Sequence, residues 1–476
     1  LYCAFKKIKN TQSVAMWIDE FKTQITMVED VECIKSYQQH HNKFVKIRAE
    51  HLQQQIIKHK AYIVDCSDLV VVKEQAKLDE SIQQQYFERI KQHAEKLHLA
   101  HHTIDQKTGK KVSFGVIRVA NIPPCVALTR YLLNAEWSEN ITARVMAYHS
   151  RQVMLLRSEQ ERHLDQALKR KEKLGEQPQA FLDTGNDGVI RQHLDQTDAE
   201  HVIFILVATP VEEVGRDHDF DWAIVEPSSY RSIIQLAGRV LRHRKISQDI
   251  NQPNIALMQY NLKGLRGAQI AFEKPGFEIN NDKFKLSTKN LSELLDDDVG
   301  LGINAIPRIQ AKNPLQATEK LADLEHAVLA DSLANYQKTG AKPLNAWLTQ
   351  TWFLTALPQR FTPFRQSSSN IQLFAVYQDR KLTFCIKDDF GKYINRNGFY
   401  QITRVELNEC EKSRLWLDRN YSDILRRMAV DTLQENEDIE TKMEILSKRY
   451  GEIMLPEHDE GKTLLYSDHF GLIIKN

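Results

Sequence analysis

Seven consecutive apolar residues, Val202 to Ala208, run directly into a polar segment at 209–221 that reads TPVEEVGRDHDFD. An apolar run without alternation suits a strand buried on both faces of a parallel sheet. Its neighbours repeat the theme. Val112 to Ala120 is a second run of strand length, followed by Pro123, Pro124 and a helix-like stretch at 126–133. Prolines are tolerated at a helix entry because the first N–H groups have no intrahelical partner. Thr142 to Tyr148 and Trp222 to Val225 read as further strands. Val153 to Lys173, with Leu156, Leu164 and Leu168 inward, and Tyr230 to Arg244 read as helices. Ile255 to Tyr260 is expected to close the sheet. Strands alternating with helices over 111–262 predict one open, mostly parallel α/β domain.

Composition narrows the class. In 476 residues, 64 Lys and Arg face 63 Asp and Glu, a net charge of +1. A wholly basic binder is excluded, whereas a local basic groove is not. Mean hydropathy is −0.47, and no apolar run approaches the roughly 20 residues of a membrane helix. Cys3, Cys33, Cys66, Cys125, Cys385 and Cys410 form no C-x-x-C pair, so neither a zinc ribbon nor a disulfide framework is expected. Scattered thiols fit a reducing cytoplasm. The chain opens on Leu1 without the apolar core of a signal peptide, and we expect its natural start to lie upstream.

Outside the α/β domain, 1–110 is rich in Lys, Gln and His and reads as a mainly helical connecting segment, with a short strand candidate at Ala61 to Cys66. Residues 263–316 read as a loop-rich linker. Residues 317–476 read as an α+β accessory domain, helical over 318–358 and strand-rich over 370–407.

The chemistry concentrates in two segments. Thr209, Gly215 and Asp217 follow the apolar strand, and the crevice beyond the carboxyl ends of strands is where open α/β sheets meet ligands. Gly215 permits positive φ or a close backbone approach. In QLAGRVLR at 235–242, Gln235, Gly238, Arg239 and Arg242 share one face if the stretch is helical. Two guanidinium groups one turn apart make a multidentate claw for phosphate oxygens. The bland alternative, a solvated basic helix face, is weakened by the matching strand-end loop.

A-T-x₅-G-x-D followed by Q-x-x-G-R-x-x-R resembles motifs V and VI of superfamily 2 helicases. The wording EEVGRDHDFDW (212–222), EPSSYRSIIQLAGRV (226–240) and YHSR (148–151) resembles the CRISPR-associated helicase–nuclease of type I interference systems, most closely the type I-F form. SFGVIRVANI (113–122) is similar to that family's motif IV region. The resemblance implies a RecA-like second helicase lobe at 111–262 in an enzyme that translocates along one DNA strand with ATP and Mg²⁺ and degrades foreign DNA. It implies that Arg242 is an arginine finger, that Arg239 and Gln235 reach the nucleotide phosphates, and that Gly215, Asp217 and Gly238 border the nucleotide. Thr209, Arg118 and Asn121 would contact the DNA backbone, with His149 and Arg151 secondary to them. For those two, packing is an equally good reading. Implied partners are single-stranded DNA, the RNA-guided surveillance complex and the CRISPR adaptation integrase, with no membrane.

Other expected parts are absent from the sequence. No G-x-x-x-x-G-K-[ST] phosphate loop occurs. Gly461-Lys462-Thr463 has Pro456 where the first glycine belongs, and Gly109-Lys110-Lys111 fails likewise. Asp19-Glu20-Phe21-Lys22 only mimics a metal-holding acidic box. His93, His98, His101 and His102 read as a surface histidine cluster rather than a metal site, so no metal ligand is expected here. The first motor lobe and the nuclease with its divalent metal are therefore expected upstream. Trp347, Trp352, Phe353 and Phe361, with Arg360 and Arg365, suit either a core or a single-strand clamp. Two other readings remain: a catalytically inactive DNA- or partner-binding module, and another superfamily 2 helicase acting on RNA. Against the last, Gln235 stands where that branch usually has His.

Overall fold

Alternation of side chains along central strands decides the architecture. The computed structural model describes residues 14–18, 23–27, 34–70, 79–173, 176–185, 188–213, 215–274, 276–296, 302–334, 355–356, 360, 369–459 and 462–475. An antiparallel pair, β1 (Val14–Ile18) and β2 (Thr23–Met27), comes first. The main sheet is built from β3 (Ala61–Val64), β4 (Thr103–Ile104), β5 (Lys111–Arg118), β6 (Ile141–Tyr148), β7 (His201–Ala208), β8 (Trp222–Val225) and β9 (Ile255–Met258). Its order is β3-β9-β8-β5-β7-β6, all parallel, with β4 antiparallel to β5. The expected parallel α/β sheet is thus present. Its outer strand β3 bears out the short strand candidate at Ala61 to Cys66 and joins part of the connecting segment to the sheet, so β9 lies one strand in from the edge instead of closing it.

Even-numbered residues of β7 (Val202, Phe204, Leu206, Ala208) pack on one face, with Leu164, Ile190, Leu194, Ile233 and Leu236 from the helices Met154–Ala167, Val189–Gln196 and Tyr230–Ala237. Odd-numbered residues (Ile203, Ile205, Val207) pack on the other, against Tyr86, Ile90 and Leu97 of the helix Asp79–Ala100 and Val126, Leu128 and Leu132 of the helix Ile122–Asn134. Both faces are covered, which is why the strands carry unbroken apolar runs. Pro123 and Pro124 stand in the first turn of their helix, as expected. Gly115 in β5 is required by a close approach: a Cβ there would lie 2.2 Å from the Trp222 ring. The stretch 263–316, expected to be a linker, instead buries Phe272, Phe284, Leu286, Leu291 and Leu294 in the lobe's core. The buried Glu278 carboxylate organises it by accepting the amides of Ala271, Phe272 and Leu286.

The C-terminal unit is α+β. Strands β10 (Asn370–Gln378), β11 (Lys381–Lys387), β12 (Tyr393–Asn395) and β14 (Glu452–Pro456) form an antiparallel sheet in the order β12-β11-β10-β14. Strands β13 (Ile402–Arg404), β15 (Leu464–Ser467) and β16 (Gly471–Ile474) form a second, mixed sheet, with β13 parallel and β16 antiparallel to β15. The helices Tyr421–Asp431 and Ile439–Tyr450 supply Leu425 and Met443 to their shared core. This unit is sewn to the lobe. Residues 414–416 add to the free edge of β6, with Val145 N–H donating to Arg414 O at 2.9 Å and Trp416 N–H to Val145 O at 3.1 Å. That cover blunts an otherwise unpaired edge. Gly471, at φ +67°, lets the backbone reach Arg151, whose carbonyl accepts from Leu472 N–H at 3.0 Å. Among the described residues, no helix is long and apolar enough to cross a membrane.

Of the four clustered histidines, His98 leaves the surface entirely, while His93, His101 and His102 are half-buried. His98 is fully buried, 2.7 Å from Ser113 Oγ and 3.0 Å from His201 Nδ1. His93 meets Tyr62 Oη, and His101 meets Pro253 O. Among the described residues, no three His, Cys, Asp or Glu side chains are grouped to hold a metal. Burial drives His98 and His149 down to about 3, and His93, His163 and His193 down to about 4. The unfolded chain therefore binds protons that the folded chain refuses. The associated stability is complete above pH 6.5 and is lost as pH falls towards the folded values. We expect Tm to drop by roughly 10 °C between about pH 7.5 and 5.5. A flat Tm over that range, followed by circular dichroism, would contradict this account.

Candidate functional site

Beyond β7 the chain forms a closed loop. Thr209 N–H donates to Tyr148 O at 3.1 Å, and Gly215 takes φ +72° with open space where a Cβ would stand. His218 pins the loop's end, 2.8 Å from Glu212 Oε1 and 3.1 Å from Asp165 Oδ1. Asp217 therefore projects outwards, its side chain 67% exposed.

The second segment departs from expectation. The helix begins at Tyr230 behind a reciprocal Ser229–Ser232 cap but ends at Ala237, with Gly238 as its C-cap. It does not continue to Arg244, so one helix face does not build the claw. The reason is tertiary. Phe220 pairs with the backbone of Arg239 and Leu241, and Asp219 Oδ2 accepts the amides of His243 and Arg244 at 2.8 and 3.3 Å. Those bonds outcompete a further helical turn. The arginines still converge. Arg242 Nε lies 2.6 Å from Asp217 Oδ1, and His243 Nε2 lies 3.1 Å from Asp217 Oδ2. Arg239 donates to Glu213 O at 3.0 Å. Gln235 sits half-buried in the helix's last turn.

Arg239 is only 6% exposed, yet its Nε and one terminal nitrogen have no hydrogen-bond partner among the described residues. Burial lowers its pKa, and the neighbouring Arg242 charge adds to the effect, with Arg216 contributing further. Asp217 is held below the usual carboxylate range by its hydrogen bond to Arg242. Unsatisfied buried donors beside convergent cations favour an anion with several acceptor oxygens. A nucleotide's phosphates fit that donor set.

The residues expected at DNA separate into two groups. Arg118 is fully buried, 2.7 Å from Glu213 Oε1 and 2.9 Å from Glu226 O. His149 is equally buried, and Thr209 nearly so. None of these three presents its side chain to solvent here. Asn121 and Arg151 do line a cavity of about 510 Å³ at the carboxyl ends of β5, β8 and β9. The same cavity is lined by Lys263, Arg266, Lys274 and Lys462, against Glu226, Glu273 and Asp459. The acids are engaged: Asp459 with Arg151 at 3.0 Å and Lys462 at 2.9 Å, Glu273 with Lys263 at 2.8 Å, and Glu226 with the amides of Ala120 and Leu262. Sequence reasoning missed Lys263, Arg266 and Lys274. The K-x-x-R spacing directly after a strand was the available signal. Lys462 was seen only as a failed phosphate loop.

Residues 111–245 match the family described as CRISPR-associated nuclease/helicase Cas3, C-terminal. The chain is 34% identical over 456 residues to a CRISPR-associated nuclease/helicase Cas3 of subtype I-F/YPEST from Pectobacterium atrosepticum, covering 93% of this chain and 39% of that protein. It is 35% identical over 370 residues to the Pseudomonas aeruginosa protein of the same description, covering 77% of this chain and 32% of the relative. Its sequence is similar to the C-terminal part of Cas3. The chain spans about a third to two fifths of the length of these curated relatives. Among solved structures, T. fusca Cas3 with AMPPNP aligns at 14% identity and a TM-score of 0.36, covering 88% of this chain and 43% of that one.

Of the other residues singled out in the sequence, Asp19 to Lys22 and Trp347, Trp352, Phe353, Phe361 and Arg365 lie outside the described residues, while Arg360 is exposed. Removing one partner of a buried ion pair leaves the other charge stranded, at about 3–5 kcal/mol. Glu213→Gln should therefore lower stability by that order, read as a shift in the urea midpoint. An unchanged midpoint would show that the Arg118–Glu213 pair does not hold the two loops together.

Proposed function

We propose that this chain supplies the arginine-bearing lobe and part of the DNA path of an ATP-driven, single-strand-translocating helicase–nuclease of CRISPR interference. The observation that carries the reading is Arg239: a buried guanidinium with unsatisfied donors, set beside Arg242 and the open Gly215–Asp217 loop. ATP with Mg²⁺ supplies the free energy through cleavage of its terminal phosphoanhydride. Arg242, half-exposed on Asp217, is the arginine finger that spreads developing charge. Arg239 holds phosphate oxygens from below, and Gln235 and Gly238 border them. The lobe contributes no phosphate loop, so this function requires a second lobe carrying one, and DNA cleavage requires a metal-bearing nuclease domain.

Single-stranded DNA is assigned to the basic cavity. Asn121, Arg151, Lys263, Arg266, Lys274 and Lys462 face its phosphates, while Arg118, Thr209 and His149 are buried and do not line it. The RNA-guided surveillance complex would deliver that DNA, and the adaptation integrase is a further partner. One observation favours a second reading for the chain by itself. With no phosphate loop in its 476 residues, it binds DNA but hydrolyses nothing.

Arg242→Ala in a protein that carries both lobes should keep DNA affinity and lose DNA-stimulated ATP hydrolysis by on the order of 10³-fold or more. Undiminished turnover would remove Arg242 from the mechanism. The chain alone should bind single-stranded DNA with a log K against log salt slope of about −2 to −3.5, the value for three to five phosphate contacts. A slope near zero in a fluorescence-anisotropy titration would count against the basic cavity, and equal stimulation of hydrolysis by RNA would favour an RNA helicase.

A further inference from the structure

The loop that carries both arginines has lost its helix, and its carbonyls need partners from elsewhere. They find them in the dipeptide Lys58-His59, on the segment leading into β3. Lys58 Nζ donates to Arg244 O at 2.6 Å and to Leu241 O at 3.3 Å. His59 Nε2 lies 2.7 Å from Val240 O. Three carbonyls of the arginine loop are thus satisfied from two adjacent side chains. The backbone joins in, with Ile57 N–H on Asp249 Oδ1 at 2.8 Å and Ile250 N–H on Ile57 O at 3.1 Å.

The loop needs such support. Leu241 sits at φ +48°, a left-handed conformation that costs a non-glycine residue about 1–2 kcal/mol. Such a conformation persists only where the surroundings over-determine it. On the side of these ties the loop borders a cavity of about 750 Å³, lined by Ile57, Lys58, His59, Ile234, Gly238 and Ile246 among others. Asp219 and Phe220 hold the loop from the lobe's side, and Lys58 and His59 add the ties across this cavity.

We infer that Lys58 and His59 are positioning residues: they fix the backbone of 240–244 and so the direction in which Arg239 and Arg242 face the anion slot, coupling the segment before β3 to the arginine loop. This rests on the reading of Arg242 as the arginine finger. Neither residue touches the reacting atoms. Both act through the carbonyls they hold.

Hydrogen exchange on the chain as given tests the idea without any turnover. Lys58→Met should speed exchange of the 238–246 amides by ~10-fold or more while leaving β7 protected, and Lys58→Arg should restore it. His59→Gln, a milder change, should act in the same direction. In a two-lobe protein, Lys58→Met should lower kcat for DNA-stimulated hydrolysis by on the order of 10–100-fold, as misplacement of a catalytic group does. KM for ATP and DNA affinity should stay within about twofold, and no further loss should appear in an Arg242→Ala background. Wild-type exchange and kcat in Lys58→Met would overturn the proposal, as would faster exchange throughout the sheet, which marks a merely structural residue. If Arg242→Ala itself retains full turnover, the finger reading fails instead, and loop exchange alone then decides whether 58 and 59 position the loop.

Discussion

The site depends on a buried ion network around two aspartates. Asp221 accepts the Phe114 amide of β5 through Oδ2 at 2.7 Å, while its Oδ1 meets Arg170 at 2.5 Å and Arg244 at 2.6 Å. Asp219, fully buried, takes Arg244 at 2.7 Å together with the amides of His243 and Arg244. Burial alone would raise the Asp221 pKa, but Arg170 and Arg244 bring it below the usual value. Burial opposes the Arg244 charge, yet the two aspartates raise its pKa overall. A network so desolvated gains little net stability. What it gains is specification: it ties the central strand to the loop after β7 and forces the chain out of helix after Gly238.

That forced exit matters because a straight helix would have delivered a different surface. On a helix, Arg239 and Arg242 would project side by side from one face. In the loop, Arg239 turns inwards under Glu213 O while Arg242 stays at the rim on Asp217. One guanidinium becomes part of a floor and the other a movable edge. The parallel sheet supplies the rigid frame, covered on both faces and with its β6 edge paired to 414–416. The same carboxyl-end rim carries the basic cavity next door, closed on one side by Asp459, Lys462 and Ile474 of the C-terminal unit.

The strands were legible because burial on both faces leaves unbroken apolar runs, and 202–208 and 222–225 were placed almost to the residue. That Asp217 and Arg242 meet was legible because they lie in two local segments, one just past the end of β7 and the other shortly after it in the chain. What failed was anything set by distant partners. The end of the helix at Ala237 is decided by Asp219, Phe220 and Asp221. The burial of Arg118 is decided by Glu213, 95 residues away. His98 looked exposed on a polar helix, but Ser113 and His201 enclose it. Lys58 and His59 stand more than 180 residues from the carbonyls they hold, and no periodicity announces such a contact.

Four departures from local rules gather in one place. Gly215 at φ +72°, Leu241 at φ +48°, the helix broken at Gly238 and the unsatisfied donors of Arg239 all lie between residues 215 and 241. Other departures are scattered through the lobe, among them Asn140 at φ +63° and buried polar atoms without partners among the described residues on Arg118, Arg144 and Arg191. Sequences that fold well keep those levels consistent and break them where function demands it. The breaks here have a common sense: each turns a donor or a cation towards the same rim, and none turns an acceptor there except Asp217. That one carboxylate sits on the most exposed arginine of the set, where an incoming anion can displace it at the least cost in desolvation. On the proposed reading, the rim would exchange one negative partner for another, holding its arginine in place before a phosphate arrives and releasing it afterwards.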